Sequence, residues 1–286
     1  MPCLLEGLRD LVGRYDVLLC DVWGVVHDGR AAFPVPCRAL ARWRAEVGPV
    51  TLISNSPRLT ADVERQLEGL GAPRETWSAL VTSGDVTRGL LARRAPGPAY
   101  ALGPDRDRPL YEGLGLAFAP IDKAAFISCT GLFDDDTETP EDYRDLLARG
   151  VSRRLEMICA NPDKVVQRGD RLVYCAGALA ELYQQLGGAV RMAGKPHAPI
   201  YEASLKCASA LMAGRLDRGR VLAVGDGVAT DMAGAAAQSL DALYVARGIH
   251  AAETLSAGGR VDGAAVDALL ARSGLLARFA MTEIAW

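Results

Sequence analysis

The sequence predicts an α/β protein in which both ends of the chain build one parallel sheet and a second α/β domain is inserted between them. Apolar, strand-like runs alternate with helical patterns up to about residue 85 and again after Gly187-Gly188. Such alternation is typical of a parallel sheet with right-handed crossovers. Between residues 85 and 190 the alternation continues but is less regular. The length of 286 residues is sufficient for two domains of ordinary size.

The first part of the chain shows the alternation most clearly. Apolar residues at positions 4, 5, 8, 11 and 12 recur at helical spacing and predict an amphipathic helix over residues 4–13. Thr60 is placed to cap a later helix. The elements after the first helix are predicted in this order: strand 16–21, helix 37–47, strand 49–55, helix 60–70, strand 79–82 and a helix that begins at Gly84-Asp85.

The same patterns assign the rest of the chain. In the middle segment we predict strands at residues 99–103, 125–129, 156–160 and 171–174. The closing elements are predicted as helix 199–213, strand 220–224, helix 230–237, strand 242–245 and two helices at 251–257 and 262–272. The regular pattern therefore returns at the end of the chain, as expected if this part rejoins the first sheet.

Composition and charge exclude several classes of protein. Half of the residues are apolar and 23% are charged, which predicts a globular chain. A net charge of −3 provides no basic field for nucleic acid or an anionic membrane. No run approaches the roughly 18 apolar residues that span a bilayer, and the N-terminus lacks a signal-peptide pattern. Seven widely spaced cysteines without a CxxC pair indicate reduced thiols. We therefore expect a cytoplasmic protein that binds neither nucleic acid nor membrane.

The segment 134–142 is unusually acidic and raises the question of a calcium loop. It lacks the glycine and the final glutamate that an EF-hand loop requires at fixed offsets. We therefore predict a solvated loop that caps a helix over residues 141–148.

Polar residues from four separate segments of the chain lie at or beside the carboxyl ends of the predicted strands. Asp21 ends the first strand, Ser54-Asn55 ends the second, Lys195 precedes the helix that starts near residue 199, and Asp226 with Asp231 follows strand 220–224. The carboxyl ends of parallel strands share one edge, where ligands bind, so these groups are expected to converge. Several carboxylates together require a cation, and an oxygen-rich site suits Mg²⁺.

These residues form a consistent set for phosphoryl transfer. Asp21 would attack phosphorus and form an aspartyl-phosphate. Mg²⁺ held by Asp21 and Asp226 would neutralise charge as the dianionic substrate approaches. Lys195 would supply a positive charge, and Ser54 with the neighbouring Asn55 segment would bind phosphoryl oxygens. Asp231 would orient the metal or Lys195. A small phosphorylated metabolite is the expected substrate.

Four motifs resemble those of the haloacid dehalogenase superfamily, class IIA, which includes NagD-like sugar and nucleotide phosphatases and phosphoglycolate phosphatases. The motifs are Asp21-Val22-Trp23-Gly24, Leu52-Ile53-Ser54-Asn55, Gly194-Lys195-Pro196 and the segment from Gly225 to Asp231. Thr82-Ser83-Gly84 and Asn161-Pro162-Asp163 resemble further recurrent segments of that group.

The resemblance implies a particular architecture. It consists of a Rossmann-like core made of residues 1–84 and 190–286, and an α/β cap made of residues 85–189 that selects the substrate. In this family such caps often contribute to a homodimer, so dimerisation through the cap is expected by analogy alone.

The chain departs from the family pattern at Trp23. In the phosphatases this position is a second aspartate, which protonates the leaving oxygen and later activates water. Trp23 can do neither, although it retains the backbone carbonyl that the family uses as a metal ligand. Loss of general acid–base catalysis typically costs about 10²–10⁴ in rate. The expected enzyme is therefore slow or acts on substrates with a good leaving group.

Three alternatives remain open at this stage. Haloacid dehalogenases carry an aromatic residue at this position and release halide without an acid, but they need no Mg²⁺, whereas Asp226 and Asp231 suit a metal. The chain could also be a regulatory protein that binds phosphate without turnover. Finally, His27 could replace the missing acid, because histidine titrates near neutral pH.

Overall fold

The computed structural model describes residues 1–168 and 171–286, which form two compact units. The first unit comprises Met1–Ser54, Glu64–Val81 and Lys195–Trp286, and the second comprises Asn55–Val63 and Thr82–Gly194. Both contain parallel sheets covered by helices, so the α/β class is confirmed. The division into a core and a cap at the boundaries given above stays a prediction. Within the described ranges, no helix is both long and apolar enough to cross a membrane.

The first unit is built on a seven-stranded sheet whose central strands are completely buried. Across the sheet the strands are Cys3–Leu4, Phe279–Met281, Asp241–Val245, Val221–Gly225, Val17–Asp21, Val50–Ser54 and Ala79–Thr82. The central strand Val17–Asp21 pairs in parallel with Val50–Ser54 on one side and with Val221–Gly225 on the other. Burial on both faces explains why these strands are nearly continuous apolar runs.

The pairing register brings the ends of the central strands to one level. Asp21 lies opposite Ile53, and Cys20 lies opposite Val224. Ser54, the last residue of its strand, and Asp226, the first residue after its strand, therefore lie at the same edge as Asp21. The helices of this unit are Pro34–Glu46, Ala198–Leu211, Ala233–Ala237, Ala251–Thr254 and Gly263–Ala271, and the helix Thr60–Gly69 begins in the second unit and ends in the first. Shorter helical turns are Leu8–Leu11, Arg74–Thr76, Arg218–Arg220 and the π-helical turn Val228–Met232.

The predicted N-terminal helix over residues 4–13 is wrong. Cys3–Leu4 is a short strand parallel to Phe279–Met281, and only Leu8–Leu11 forms a 3₁₀ turn. The backbone N–H of Cys3 donates to the carbonyl of Arg278, so the C-terminal strand provides hydrogen bonds that a local helix would otherwise supply. Leu8 and Leu11 are buried, which explains their spacing without a longer helix.

The second unit contains a four-stranded parallel sheet and a separate hairpin. Across the sheet the strands are Ala189–Met192, Glu156–Cys159, Phe126–Cys129 and Ala99–Leu102. The hairpin pairs Val165–Arg168 with Arg171–Tyr174 in antiparallel fashion. The helices are Ser83–Ala92, Arg144–Ser152 and Ala176–Gln185, with 3₁₀ helices at Asp105–Tyr111 and Pro140–Tyr143. Alternate residues of the sheet face two separate apolar clusters, as Phe126 and Ile127 show.

The acidic segment is held by arginines. Asp135 accepts hydrogen bonds from both Arg106 and Arg168, and its side chain is only 10% exposed. The prediction of a solvated loop is confirmed for Asp134 and Asp136, which are exposed, whereas the two arginines cover most of the Asp135 side chain. Thr139 and Asp142 form a capping box at the start of the helical segment that follows.

Candidate active site

Asp21 lies at the end of a buried strand with one carboxylate oxygen fixed by two donors. The residue is 8% exposed. Its Oδ1 accepts a hydrogen bond from the backbone N–H of Val22 at 2.7 Å and another from Nζ of Lys195 at 2.6 Å. These bonds fix the orientation of the carboxylate at the sheet edge.

Lys195 joins two carboxylates that are far apart in the sequence. Its Nζ lies 2.6 Å from Oδ1 of Asp21 and 2.7 Å from Oδ1 of Asp231. Burial alone would lower the pKa of the ammonium, but Asp21 and Asp231 outweigh burial and hold the pKa of Lys195 well above its usual range. Lys195 is therefore a permanent positive charge at the site.

The carboxylate of Asp226 lies so close to the backbone of Gly24 and Gly248 that neither position has room for a side chain. The backbone N–H of Ile249 donates to Oδ2 of Asp226 at 2.7 Å. A Cβ atom would lie 2.5 Å from Oδ2 if added at Gly24, and 1.8 Å from it if added at Gly248. The motif after the first strand and the segment after strand Asp241–Val245 therefore close around this carboxylate.

Asp231 is held by the turn that follows strand Val221–Gly225. The backbone N–H of Gly227 donates to its Oδ2 at 3.0 Å, and Lys195 binds the other oxygen. Asp231 is 3% exposed. Both carboxylate oxygens of Asp231 therefore accept hydrogen bonds, and one of these bonds holds the ammonium of Lys195 in place.

The site contains more negative than positive charge. Carboxylate oxygens of Asp21, Asp226 and Asp231 lie within 4.8 Å of one another, and Lys195 is the ammonium among them. Burial, with the charge of Asp231, raises the pKa of Asp21 well above its usual range despite Lys195. The same two causes raise the pKa of Asp226 to about 7. When all three carboxylates are ionised, they and the one ammonium leave two excess negative charges, which matches a divalent cation with oxygen ligands.

Trp23 and His27 pack against each other in the turn after Asp21. Their rings are 4.8 Å apart and meet edge to face. A Cβ at Gly29 would come within 2.7 Å of the Trp23 ring, so the indole lies directly on this glycine. The Nδ1 atom of His27 accepts the backbone N–H of Gly29, and burial lowers the pKa of His27 to about 4. At neutral pH His27 is therefore uncharged, which does not favour it as a proton donor.

Ser54 and Asn55 are consecutive but belong to different units. Ser54 is buried at the end of its strand in the first unit. Asn55 belongs to the second unit, where its amide nitrogen donates to Oδ1 of Asp163 at 2.8 Å. The predicted Asn161-Pro162-Asp163 segment is thus tied to Asn55. Phosphate binding by Ser54 and Asn55 stays a prediction.

Gly248 and Ile249 also contribute to the site, although no motif in the sequence predicts it. These residues follow strand Asp241–Val245 at the same sheet edge as the other site residues. A glycine shortly after a parallel strand is the signal that would have placed this segment at the site.

Comparisons with known proteins agree on one family. A family model described as haloacid dehalogenase-like hydrolase matches residues 18–117. A second model, described as HAD-hydrolase-like, matches residues 192–271. A haloacid dehalogenase-like hydrolase from Brucella suis 1330 shares 45% identity, with a TM-score of 0.87, over 98% of this chain and 99% of that one. None of the curated proteins compared with the chain matches it.

More distant solved structures share the fold. A p-nitrophenyl phosphatase from Archaeoglobus fulgidus has 19% identity and a TM-score of 0.72, over 94% of this chain and 96% of that one. A glycerol phosphate phosphatase from Mycobacterium tuberculosis, solved with magnesium, has 24% identity and a TM-score of 0.61, over 85% of this chain and 71% of that one. At these identities the likeness concerns the fold alone.

Proposed function

Because the chain belongs to the haloacid dehalogenase-like hydrolase family, we propose that it is a Mg²⁺-dependent phosphatase of small phosphate esters, acting through an aspartyl-phosphate on Asp21. The family membership confirms the resemblance seen in the four motifs. The observation that carries the proposal is the buried group of three carboxylates and Lys195, whose excess negative charge calls for a metal ion.

The metal would be held by Asp21, Asp226 and the backbone carbonyl of Trp23. When bound, Mg²⁺ would supply the charge neutralisation that allows a phosphate dianion to meet a carboxylate. The hydrogen bond from Ile249 and the glycines around Asp226 orient this carboxylate independently of the ion. Asp231 holds Lys195 in place through its Oδ1 atom.

The reaction has two steps at Asp21. A carboxylate oxygen attacks phosphorus, the bond from phosphorus to the alcohol oxygen breaks, and the departing alcohol oxygen takes a proton from solvent. Water then attacks phosphorus and the bond from phosphorus to the Asp21 oxygen breaks. The free carboxylate and inorganic phosphate are released, and the protons of the water pass to the phosphate and to solvent. Lys195, Ser54 and Asn55 would bind the phosphoryl oxygens. In the absence of an acid at position 23, substrates with good leaving groups should react fastest.

A substrate screen tests the proposal. We expect phosphate release from p-nitrophenyl phosphate and from some of a panel of sugar phosphates, nucleotides and phosphoglycolate in Mg²⁺, and loss of nearly all of it in EDTA. The aromatic residue at Trp23 also favours a second candidate, a 2-haloacid dehalogenase. Halide release from 2-haloacids without Mg²⁺ would identify that activity and overturn our proposal. Absence of both activities would indicate a protein that binds phosphate without turnover.

Substitution of Gly248 tests the arrangement around Asp226. Gly248→Ala should lower kcat/KM with Mg²⁺ at least about 10-fold, because the new methyl group must displace Asp226 or the Ile249 N–H that binds it. The concentration of Mg²⁺ that gives half-maximal rate should rise. The control is Gly258→Ala, where a Cβ meets only an atom at 3.9 Å. Equal behaviour of the two variants would show that Asp226 does not need this orientation.

A further inference from the structure

The helix that follows Lys195 carries a buried tyrosine, Tyr201, at the end of its first turn. This helix is Ala198–Leu211, so Tyr201 lies six residues after Lys195 in the same segment of the chain. Tyr201 is 1% exposed, and its hydroxyl donates a long hydrogen bond of 3.4 Å to the backbone carbonyl of Asp231. Tyr201 and Lys195 therefore bind the same residue, the first at its backbone and the second at its side chain.

Asp231 lies in a turn with an uncommon pattern of hydrogen bonds. The turn Val228–Met232 is π-helical, and the backbone N–H of Met232 donates to the carbonyl of Gly227, five residues earlier. Such turns are rare in proteins and often occur at functional sites. The hydroxyl of Tyr201 thus contacts a segment whose conformation depends on tertiary contacts more than on local preference.

Gly234 fixes the position of the Tyr201 ring. It is buried in the helix Ala233–Ala237, directly after the π-helical turn. A Cβ atom added at Gly234 would lie 2.5 Å from both Cε2 and Cζ of Tyr201, and closer still to the hydroxyl oxygen. The phenol end of the side chain therefore lies on the backbone of Gly234, and a larger residue there would have to move the ring.

The hydroxyl of Tyr201 is protonated at neutral pH. Burial and the charge of Asp231 raise its pKa above the ordinary value for tyrosine, although the charge of Lys195 opposes that rise. The backbone carbonyl of Asp231 can only accept a hydrogen bond, so the contact needs this proton. Tyr201 is therefore a constant donor to the turn that carries Asp231.

We propose that Tyr201 is a positioning residue for Lys195. The contacts form a closed path, because Lys195 binds the carboxylate of Asp231, Tyr201 binds its carbonyl, and the chain joins the tyrosine to the lysine. All three residues belong to the first unit. Two attachments fix both the distance and the rotation of Asp231 relative to the segment that carries Lys195, whereas the ion pair alone fixes a single point. Tyr201 thereby keeps the ammonium at its place beside Asp21.

The small number of lysines makes the ammonium of Lys195 directly observable. The chain contains four lysines, of which Lys195 is 2% exposed, and the others are exposed: Lys123, Lys164 and Lys206. In protein labelled with ¹⁵N at lysine, the ammonium protons of Lys195 should exchange with water far more slowly than those of the other three, because they are buried and donate to two carboxylates. The signal that disappears in Lys195→Met assigns them.

Tyr201→Phe tests the proposal, because it removes the hydroxyl and keeps the ring. The ammonium protons of Lys195 should exchange with water at least about 10-fold faster in this variant. The value of kcat with p-nitrophenyl phosphate in Mg²⁺ should fall about 10-fold, as expected for the loss of one hydrogen bond. Gly234→Ala should have the same two effects, because the added methyl group displaces the Tyr201 ring.

Tyr15→Phe is the matched control. Tyr15 is also 1% exposed, and its hydroxyl donates to Asp241 at the opposite end of strand Val17–Asp21 from Asp21. The exchange rate of the Lys195 ammonium and kcat should equal those of the wild type. Unchanged exchange in folded Tyr201→Phe, or in Gly234→Ala, would overturn the proposal. An equal increase in Tyr15→Phe would also overturn it, since it would indicate a general loss of stability.

The two measurements separate this inference from the proposed function. The expected fall in kcat rests on the role of Lys195 in phosphoryl transfer, whereas the exchange of its ammonium protons requires no turnover. If the protein hydrolyses no phosphate ester but exchange is faster in Tyr201→Phe alone, the phosphatase proposal fails and the positioning role is retained. If the protein is an active phosphatase and exchange is unchanged in Tyr201→Phe, the positioning role fails and the phosphatase proposal is retained.

Discussion

Asp21→Asn is expected to abolish hydrolysis, with a fall in kcat of at least about 10⁴-fold on every substrate, because an amide does not attack phosphorus. The substitution keeps the shape of the side chain and the acceptor for the Val22 N–H. The measurement is kcat with p-nitrophenyl phosphate in Mg²⁺. Acid quenching during turnover of a ³²P-labelled sugar phosphate should trap labelled protein in the wild type and not in the variant.

Asp10→Asn is a suitable control for this experiment, since Asp10 is an exposed aspartate of the same unit. Its rate should match that of the wild type. Retention of substantial activity by Asp21→Asn, in protein shown to be folded by its thermal unfolding transition, would mean that the nucleophile is another group.

Trp23→Asp is expected to increase the rate on alkyl phosphates by about 10²–10⁴, the usual contribution of a positioned acid and base. The gain on p-nitrophenyl phosphate should be much smaller, because nitrophenolate leaves without protonation. Comparison of kcat/KM on the two types of ester measures the difference. The substitution should also lower the stability of the protein, because it removes the indole that packs on Gly29 and His27.

Trp23→Asn controls for that cost, since it leaves the same space and provides no acid. A gain confined to the aspartate variant would show that the missing acid limits the rate. If neither variant gains activity on alkyl phosphates, another group already supplies the proton, and His27→Gln should then be damaging. That outcome would be unexpected, given the low pKa of the buried His27.

Much of the site follows from local patterns in the sequence. Asp21 and Asp226 each come after an apolar strand, and parallel strands in register necessarily present such residues at one edge. The ion pairs of Lys195 could be expected only in outline, because Lys195 lies 174 positions from Asp21 and 36 positions from Asp231 in the sequence. The predicted alternation of strands and helices agrees with the structure where the strands are buried on both faces.

Hydrophobic patterns in the sequence gave wrong predictions where a segment pairs with a distant strand instead of forming local structure. The N-terminal leucines suit a helix, but the edge of the sheet at Phe279–Met281 offers Cys3–Leu4 a partner that local spacing does not reveal. Strand Ala189–Met192 alternates exposed and half-buried residues, so it lacks the apolar run that marks a central strand.

The shared position of Lys195 has a consequence for the order of events at the site. In the resting protein its ammonium donates to both Asp21 and Asp231. On the proposed pathway, formation of the aspartyl-phosphate converts the Asp21 carboxylate into a neutral acyl group. At the same time it places anionic oxygens on the adjacent phosphorus. The attraction that fixed the ammonium to Asp21 is then transferred to those oxygens, while Asp231 keeps the side chain in place. Lys195 can thus serve the free enzyme and the intermediate in turn from a single position, without a conformational change.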